Sequence, residues 1–333
     1  MRTISEIWAA TAATPTDRGL LVTRIDANTK CDLFAGLSFP DQRPVLVLEV
    51  GSSVVPKGTV TIRSRGLHFY LERLPKNGRL RLNLILEDAA LRDIFAVLAQ
   101  DIADHVSSSA NEIDGCAAFL NRLKLWQMLL ERLRPEGLTP SEQLGLYGEL
   151  WFLRHLVLEK VRTVDAIAGW TGPAGKNQDF EYGGKGWEVK STAANDPTKV
   201  QISNIEQLNP GPLGSLVLVH LAVREQRTVG QSLPSLVEDI RRTIDTDKHA
   251  LELFTDLLLD GGYLTLQADA YAEPLYTVRE VRFFLVQGAF PRLMPGSLAD
   301  GVIDVKYSIL LQACSPHEMT AEIAASFLSE ALG

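Results

Sequence analysis

The chain has few of the features that mark secreted, zinc-binding or membrane proteins. It contains only three cysteines among 333 residues, Cys31, Cys116 and Cys314. Such scattered positions predict neither a disulfide framework nor a zinc site, so we expect three buried, reduced thiols. Apolar runs are also short. The longest, Leu216–Val223, is interrupted by His220 and is far below the roughly 18–20 residues of a membrane span.

The first residues do not have the pattern of a secretion signal, and the composition has no excess of positive charge. Arg2 is followed by Glu6 rather than by a long apolar stretch, so we expect a cytoplasmic protein with no membrane association. The net charge is −8. This counts against a free-standing, tight, non-specific DNA binder, whose affinity comes from neutralising phosphates. A basic cleft is still compatible with an acidic protein, and partner subunits are expected to help hold such a substrate.

Several catalytic motifs are missing. The six histidines show no metal-ligand spacing, and we expect them on the surface or as satisfied core residues. No Gly-x-Ser-x-Gly elbow occurs. The glycine-rich segment at 183–186 has no Ser or Thr after its lysine, so it predicts a tight turn rather than a phosphate loop.

The composition, 46% hydrophobic and 22% charged, is that of a globular protein long enough for about two domains. The pattern of residues 1–135 predicts a β-rich N-terminal domain that ends in two helices, and its boundary is expected at 134–137. Helices are expected at 89–105 and 113–133. The strands are short apolar or alternating runs, expected at 31–39, 43–50, 58–63, 67–74 and 79–87, with an Asn77-Gly78 turn before the last.

A second unit is expected at residues 139–225, and a C-terminal α/β extension is expected at residues 226–333. The second unit opens with a helix from a Thr139 or Ser141 cap to about residue 159. Its other expected elements are strands at 180–182, 187–191, 200–203 and 216–223, with a helix opened by a capping box at 203–206. The extension predicts helices at 233–243, 250–259 and 319–332, and strands at 263–266, 280–287 and 302–310.

Two carboxylates and one lysine form the main chemical signal. Glu188 and Lys190 alternate on one face of a predicted strand, and Asp179 lies nine positions before Glu188, across a glycine-rich turn. A hairpin there brings all three side chains together. Asp179, Glu188 and the main-chain carbonyl of Val189 are candidate ligands for Mg²⁺, which prefers oxygen. The metal would activate water, and Lys190 would stabilise charge on a phosphate.

Glu149 is a third acid of interest. It lies three or four residues from Leu146, Phe152 and Leu153, so it shares their apolar helical stripe. A carboxylate in such a place is costly unless it is paired or bound to a metal.

These residues resemble the PD-(D/E)XK nuclease superfamily, and more narrowly a group of PD-(D/E)XK motif proteins found beside restriction and phage-defence genes. The resemblance rests on the segments 148–153, 179–180, 188–192 and 206–208. It implies an α/β fold with a mixed-sheet, restriction-endonuclease-like αβββαβ core. It also implies that Asp179 and Glu188 bind metal, that Lys190 is the catalytic lysine, and that Glu149 is the auxiliary acid. Gln207 matches, more loosely, a glutamine of Mrr-type relatives.

Two features bear on the strength of this resemblance. Gln178 stands where the superfamily motif has proline, which removes one letter of the pattern. Asp304-Val305-Lys306 repeats the acid-x-Lys shape inside a predicted strand, but its nearest upstream acid, Asp300, is too close for a hairpin. We interpret this second triplet as structural.

The preferred hypothesis is a Mg²⁺-dependent DNA endonuclease, with Mn²⁺ as a substitute, in a restriction or phage-defence system. We expect DNA and further defence proteins as partners, and the oligomeric state stays open, a homo-oligomer being one option. The second hypothesis is a catalytically silent DNA-binding or assembly subunit that keeps the nuclease fold. The acidic net charge favours it, whereas the intact Asp179, Glu188 and Lys190 favour the enzyme. A purely structural scaffold is the third.

Overall fold

The chain folds into two compact units, Met1–Leu133 (unit 1) and Arg134–Gly333 (unit 2). The computed structural model describes residues 3–14, 16–64, 66–75, 78–132, 137–195 and 198–332. The predicted boundary at 134–137 lies mostly outside the described residues. The predicted three-part division of the chain stays a prediction.

Unit 1 contains a six-stranded antiparallel sheet with the strand order β1-β2-β3-β6-β5-β4. Its strands are β1 (Gly19–Arg24), β2 (Asp32–Phe39), β3 (Arg43–Gly51), β4 (Ile62–Ser64), β5 (Leu67–Arg73) and β6 (Arg79–Leu86). The strand predicted at 58–63 is reduced to β4, and β1 was not predicted. Gly78 has a φ of +65°, in keeping with the predicted turn, whose Asn77 lies outside the described residues.

Three helices accompany this sheet: α1 (Ile4–Ala12), α2 (Arg92–Ser107) and α3 (Glu112–Arg132). The helix α1 was not predicted. Asp101 of α2 accepts hydrogen bonds from Arg122 and Trp126 of α3, at 2.8 and 2.7 Å, which joins the two helices. The expectation of buried free thiols is confirmed for all three cysteines.

Unit 2 mixes helices and strands. Its strands are β7 (Phe180–Tyr182), β8 (Lys185–Thr192), β9 (Lys199–Ile202), β10 (Ser215–Gln226), β11 (Leu275–Leu285), β12 (Tyr307–Leu310) and β13 (Glu318–Met319). Its helices are α4 (Pro140–Phe152), α5 (Thr163–Ala168), α6 (Leu233–Ile244), α7 (Lys248–Asp260), α8 (Leu311–Cys314) and α9 (Ala321–Leu332). In the part of the chain that the structure describes, no helix combines the length and the apolar character needed to cross a membrane.

The main sheet of unit 2 has the order β13-β11-β10-β8-β7, and only the β10–β8 pair is parallel. Residues on one face of β8 and β10, among them Trp187, Val189 and Val219, pack into a core with α4 and α6. Leu216 and Leu218 on the other face pack against β9 and β12. The apolar run of β10 is therefore covered on both faces, as predicted.

The chain is a mixed α/β protein, as predicted, but two elements after β8 differ from expectation. β9 pairs with β12 in a separate two-stranded ribbon instead of entering the main sheet. The helix predicted from 203–206 is a single 3₁₀ turn, Ile205–Leu208, whose cap is Asn204 rather than Ser203. Pro210 follows this turn closely and disfavours helical backbone before it.

Two predicted strands of the last hundred residues are wrong or shortened. The segment at 263–266 leads into a 3₁₀ helix, Thr265–Tyr271. Tyr263 and Leu264 precede this helix and are buried, but they pair with no strand among the described residues. The strand predicted at 302–310 begins only at Tyr307. Asp304 has a φ of +54°, which is incompatible with a strand, so the Asp304-Val305-Lys306 triplet precedes β12.

The helix α4 begins as predicted, with Thr139 and Glu142 forming a capping box. It ends earlier than predicted, because the backbone changes to π-helix at Leu153–Val157. Gly148 lies where α4 crosses β8, and a Cβ there would overlap the Ser191 hydroxyl. Gly145, one turn earlier, faces open space.

We expect Gly148→Ala to lower the free energy of unfolding by roughly 1–3 kcal/mol, because the added methyl group overlaps the Ser191 hydroxyl and lies 3.1 Å from the Ser191 Cβ, so that the Ser191 side chain must turn or α4 and β8 must shift. Gly145→Ala is the matched control and should raise it by about 1 kcal/mol through helix propensity alone. Chemical denaturation of both variants checks the pair. Equal effects of the two substitutions would contradict the close approach at Gly148.

Candidate active site

The β7–β8 hairpin holds Asp179 against the edge of β8. Asp179 directly precedes β7, and its Oδ2 accepts a hydrogen bond of 2.7 Å from the backbone N–H of Val189. β7 pairs only with 185–187 of β8, so within the described residues the next stretch of this edge carries no strand. The Asp179 carboxylate occupies the place where a neighbouring strand would lie.

The main-chain carbonyl of Val189 faces the same open edge. In a strand, the N–H and C=O of one residue point to the same neighbour. Because the Val189 N–H points to Asp179, its carbonyl oxygen is presented beside the same carboxylate. This direction suits the ligand role predicted for it.

Glu188 and Lys190 form an ion pair on the other face of β8 from Trp187 and Val189, as strand alternation requires. The Lys190 Nζ lies 2.6 Å from Glu188 Oε1. The Glu188 side chain has 0% of its surface exposed, and its Oε2 has no hydrogen-bond partner among the described residues. A buried carboxylate oxygen without a partner is costly, and a bound cation would satisfy it.

Glu149 reaches the same region from α4. Its Oε2 accepts a hydrogen bond of 2.8 Å from the indole N–H of Trp170, a fully buried residue. Gly172 lies between the two acids: a Cβ there would be 3.0 Å from Asp179 Oδ1 and 3.4 Å from Glu149 Oε2. Both oxygens therefore surround one small volume, and the glycine leaves it open.

Burial raises the pKa of all three acids, and neighbouring acids add to the shift at Glu149 and Glu188. Burial, together with the nearby Asp179, raises the pKa of Glu149 to about 8. Burial raises the pKa of Asp179 and of Glu188, although the Lys190 ammonium opposes both shifts. Burial by itself lowers the pKa of Lys190, but Glu188, Asp179 and Glu149 outweigh it and hold the ammonium charged. A divalent cation at this position would favour the charged form of each acid and so oppose these shifts.

A cleft of about 520 Å³ opens over this cluster. Five of the six predicted residues line it, namely Glu149, Asp179, Val189, Lys190 and Gln207, whereas Glu188 is fully buried. A row of exposed polar residues on or next to β9 also faces the cleft, consisting of Lys199, Gln201 and Ser203. The structure therefore brings the predicted residues together, while their roles stay predictions.

Gln207 and Gln178 fix one wall of the cleft. The side-chain oxygen of Gln207 accepts a hydrogen bond from the Ser203 N–H, so Gln207 braces its own turn. Gln178, which stands in place of the motif proline, is buried and donates from Nε2 to the carbonyls of Glu206 and Asn209, both at 3.0 Å. The departure from proline thus ties the 3₁₀ turn to the residue before Asp179.

Two residues of this site, Trp170 and His220, were not predicted from the sequence. Trp170 gave no signal, because a buried tryptophan is ordinary core material. His220 lines the cleft, is buried, and has no hydrogen-bond partner for either ring nitrogen among the described residues. The expectation of a surface or satisfied histidine is therefore wrong for His220. The signal was present, since His220 interrupts the longest apolar run.

The family model described as "Putative PD-(D/E)XK family member" (DUF4420) matches residues 4–312, more than nine-tenths of the chain. The chain belongs to this family. The resemblance drawn from the motifs is thereby confirmed. Searches of curated proteins and of solved structures found no match.

The donor set of this DUF4420 member fits a hard divalent cation. It offers the carboxylates of Asp179 and Glu188 and the carbonyl of Val189, and Mg²⁺ is held by one or two carboxylates while keeping several waters. In keeping with so few side-chain ligands, the described residues hold no cluster of three or more His, Cys, Asp or Glu placed to bind a metal.

We expect the protein without metal to lose stability as the pH rises from about 4.5 to 8. The folded pKa of Glu149 is raised to about 8, so folded protein binds a proton that unfolded protein has already released. This stability is complete below the unfolded pKa and is lost as the pH passes through the folded one. Melting temperatures in EDTA between pH 5 and pH 8.5 measure it.

Glu149→Gln keeps the shape of the side chain without the charge, so the decline should become shallower in this variant. Glu159→Gln, at an exposed position, is the control and should follow the wild type. If the melting temperature of Glu149→Gln fell with pH as much as that of the wild type, Glu149 would not be the acid with the raised pKa.

Proposed function

We propose that this protein is a Mg²⁺-dependent DNA endonuclease, with Mn²⁺ as a substitute. The observation that carries the proposal is the convergence of Asp179, Glu188 and Lys190 at the open edge of β8, beneath a cleft. Two carboxylates beside one ammonium suit hydrolysis of a phosphodiester, and PD-(D/E)XK nucleases generally use divalent metals.

Each residue has a distinct part in this chemistry. Asp179, Glu188 and the Val189 carbonyl would hold the cation, which supplies Lewis acidity and a water of lowered pKa. Lys190 is positively charged at this spot and would stabilise the charge that develops on the phosphate. Glu149 would retain or accept a proton next to Asp179, because its pKa of about 8 is close to neutral pH.

The cleft favours a nucleic acid as the substrate. Lys190 and Lys199 both line it, and the exposed polar row of Lys199, Gln201 and Ser203 provides hydrogen-bond donors for phosphate oxygens. The two lysines are matched by two acids of the lining, Glu149 and Asp179, so a bound divalent cation would make the cleft more favourable for a phosphate than the net charge of −8 suggests.

The wider setting belongs to the same proposal. The αβββαβ core would run from α4 through β7, β8 and β9 to the 3₁₀ turn at Ile205–Leu208 and β10, with the turn in place of the second helix. A role in a restriction or phage-defence system, with further protein partners that hold DNA, agrees with the acidic net charge. The cytoplasmic location and a homo-oligomeric state remain predictions.

A catalytically silent DNA-binding subunit is the alternative. The observation that favours it is the 2.6 Å contact of Lys190 with Glu188, which engages the ammonium with its own neighbour. In a silent subunit this ion pair is permanent. In the enzyme, a bound cation takes over Glu188 and leaves Lys190 to the substrate.

Lys190→Ala separates the two functions. We expect plasmid cleavage in Mg²⁺ or Mn²⁺ to fall by about 10²-fold or more, the order seen when one electrostatic stabiliser is lost. Binding of the same DNA should weaken only modestly, since one phosphate contact among several is removed. Lys248→Ala, at an exposed position on α7, is the control and should keep wild-type cleavage. Full cleavage by Lys190→Ala would place the active site elsewhere, and nicking by none of the proteins would favour the silent subunit.

Metal binding is tested without DNA. We expect Mg²⁺ or Mn²⁺ to raise the melting temperature of the wild type, because a ligand of the folded state stabilises it by about 2.7 kcal/mol at 100 times its Kd. The double variant Asp179→Asn/Glu188→Gln should show no such shift between EDTA and metal. Equal shifts in both proteins would exclude these two carboxylates as ligands.

A further inference from the structure

His220 lies in the middle of β10 with 1% of its surface exposed, and it borders the cleft. Within the described residues, neither ring nitrogen has a hydrogen-bond partner. Its neighbours on the same face of the strand, Leu216 and Leu218, are apolar core residues. An unsatisfied imidazole in such a strand destabilises the fold compared with a leucine, so packing does not account for it.

The ring is electrically neutral at neutral pH. Burial lowers the pKa of His220 to about 4, and the guanidinium of Arg282, its cross-strand neighbour on β11, acts in the same direction. Arg282 itself is held by Glu318 through two hydrogen bonds of 2.8 and 2.7 Å. A neutral imidazole has one N–H donor and one nitrogen acceptor. At the border of the cleft, His220 therefore holds one donor and one acceptor that no described residue engages.

The position of His220 relative to Lys190 suggests what that ligand is. The two residues are direct partners in the parallel β10–β8 pairing, and neighbouring strands lie about 4.8 Å apart. The side chains of Lys190 and His220 thus border the same cleft from adjacent strands. A phosphate group, which has two non-bridging oxygens, has acceptors for both donors.

A metal-ligand role for His220 has less support. The described residues hold no set of three or more His, Cys, Asp or Glu side chains placed around one metal position. Glu188, the partner of Leu218 in the same pairing, lies two positions away along the strands. A ligand with acceptor oxygens, rather than a cation, matches a ring placed beside an ammonium.

We propose that His220 contacts the substrate, with its ring N–H donating a hydrogen bond to a non-bridging oxygen of the phosphodiester that Lys190 also contacts. The proposal rests on the proposed nuclease function and adds a residue to its site. It explains why a polar ring is kept in an apolar strand, since the ligand satisfies in the complex what the free protein leaves unsatisfied.

Two variants and one control test this role. His220→Leu removes the hydrogen bonds in a strand that already carries leucine, and His220→Gln keeps a donor. His249→Leu alters an exposed histidine outside the cleft. We expect His220→Leu to melt at a higher temperature than the wild type in EDTA, because a buried unsatisfied group is removed. Its cleavage should fall about 10- to 100-fold, the loss for one hydrogen bond to a charged group. His220→Gln should recover part of the cleavage, and His249→Leu should match the wild type.

The outcomes distinguish this proposal from the function on which it rests. Wild-type cleavage retained in a folded His220→Leu protein would overturn the role of His220 alone. A lower melting temperature for His220→Leu would also overturn it, because the ring would then have a structural partner.

A wild type that binds DNA without cutting it would refute the nuclease, and the role of His220 is then decided by NMR. In protein with ¹⁵N-labelled histidine, a 20-base-pair duplex in EDTA should shift the His220 ring resonances, and His220→Leu should bind the duplex more weakly. Unmoved resonances with unchanged affinity, or no DNA binding by the wild type, would overturn the proposal.

Discussion

The site depends on the concentration of negative charge around a single ammonium at the open edge of β8. Glu149, Asp179 and Glu188 converge there, and only Lys190 opposes them within the cluster. Other groups fix two of these acids: the Val189 N–H donates a hydrogen bond to Asp179, and the Trp170 indole N–H donates one to Glu149. Folding thus provides the energy to assemble a site that a divalent cation would relieve.

Much of this site could be predicted from sequence because its geometry is local. The spacing of Asp179 and Glu188 across a glycine-rich turn determines a hairpin, and strand alternation places Lys190 beside Glu188. Glu149 was found through the apolar stripe of its helix. Each inference needed only the periodicity of one element or the closure of one turn.

The remaining features depend on contacts between distant segments. β9 pairs with β12, more than a hundred residues later, and no local pattern specifies that partner. The same pairing moves the third strand out of the main sheet. The role of Gln178 depends on carbonyls near residue 206, and the position of His220 beside Lys190 depends on the parallel pairing of β10 with β8. These properties arise from tertiary packing, which overrides local propensity.

The proposed nuclease function requires that Asp179 and Glu188 hold a divalent cation at the edge of β8. The most direct test is a crystal of the protein soaked in Mn²⁺, measured by the anomalous scattering of manganese. We expect one strong anomalous peak bounded by the Asp179 and Glu188 carboxylates and the Val189 carbonyl, with Lys190 Nζ moved away from Glu188. A crystal with no peak there, and with the Lys190–Glu188 ion pair intact at saturating Mn²⁺, would contradict it.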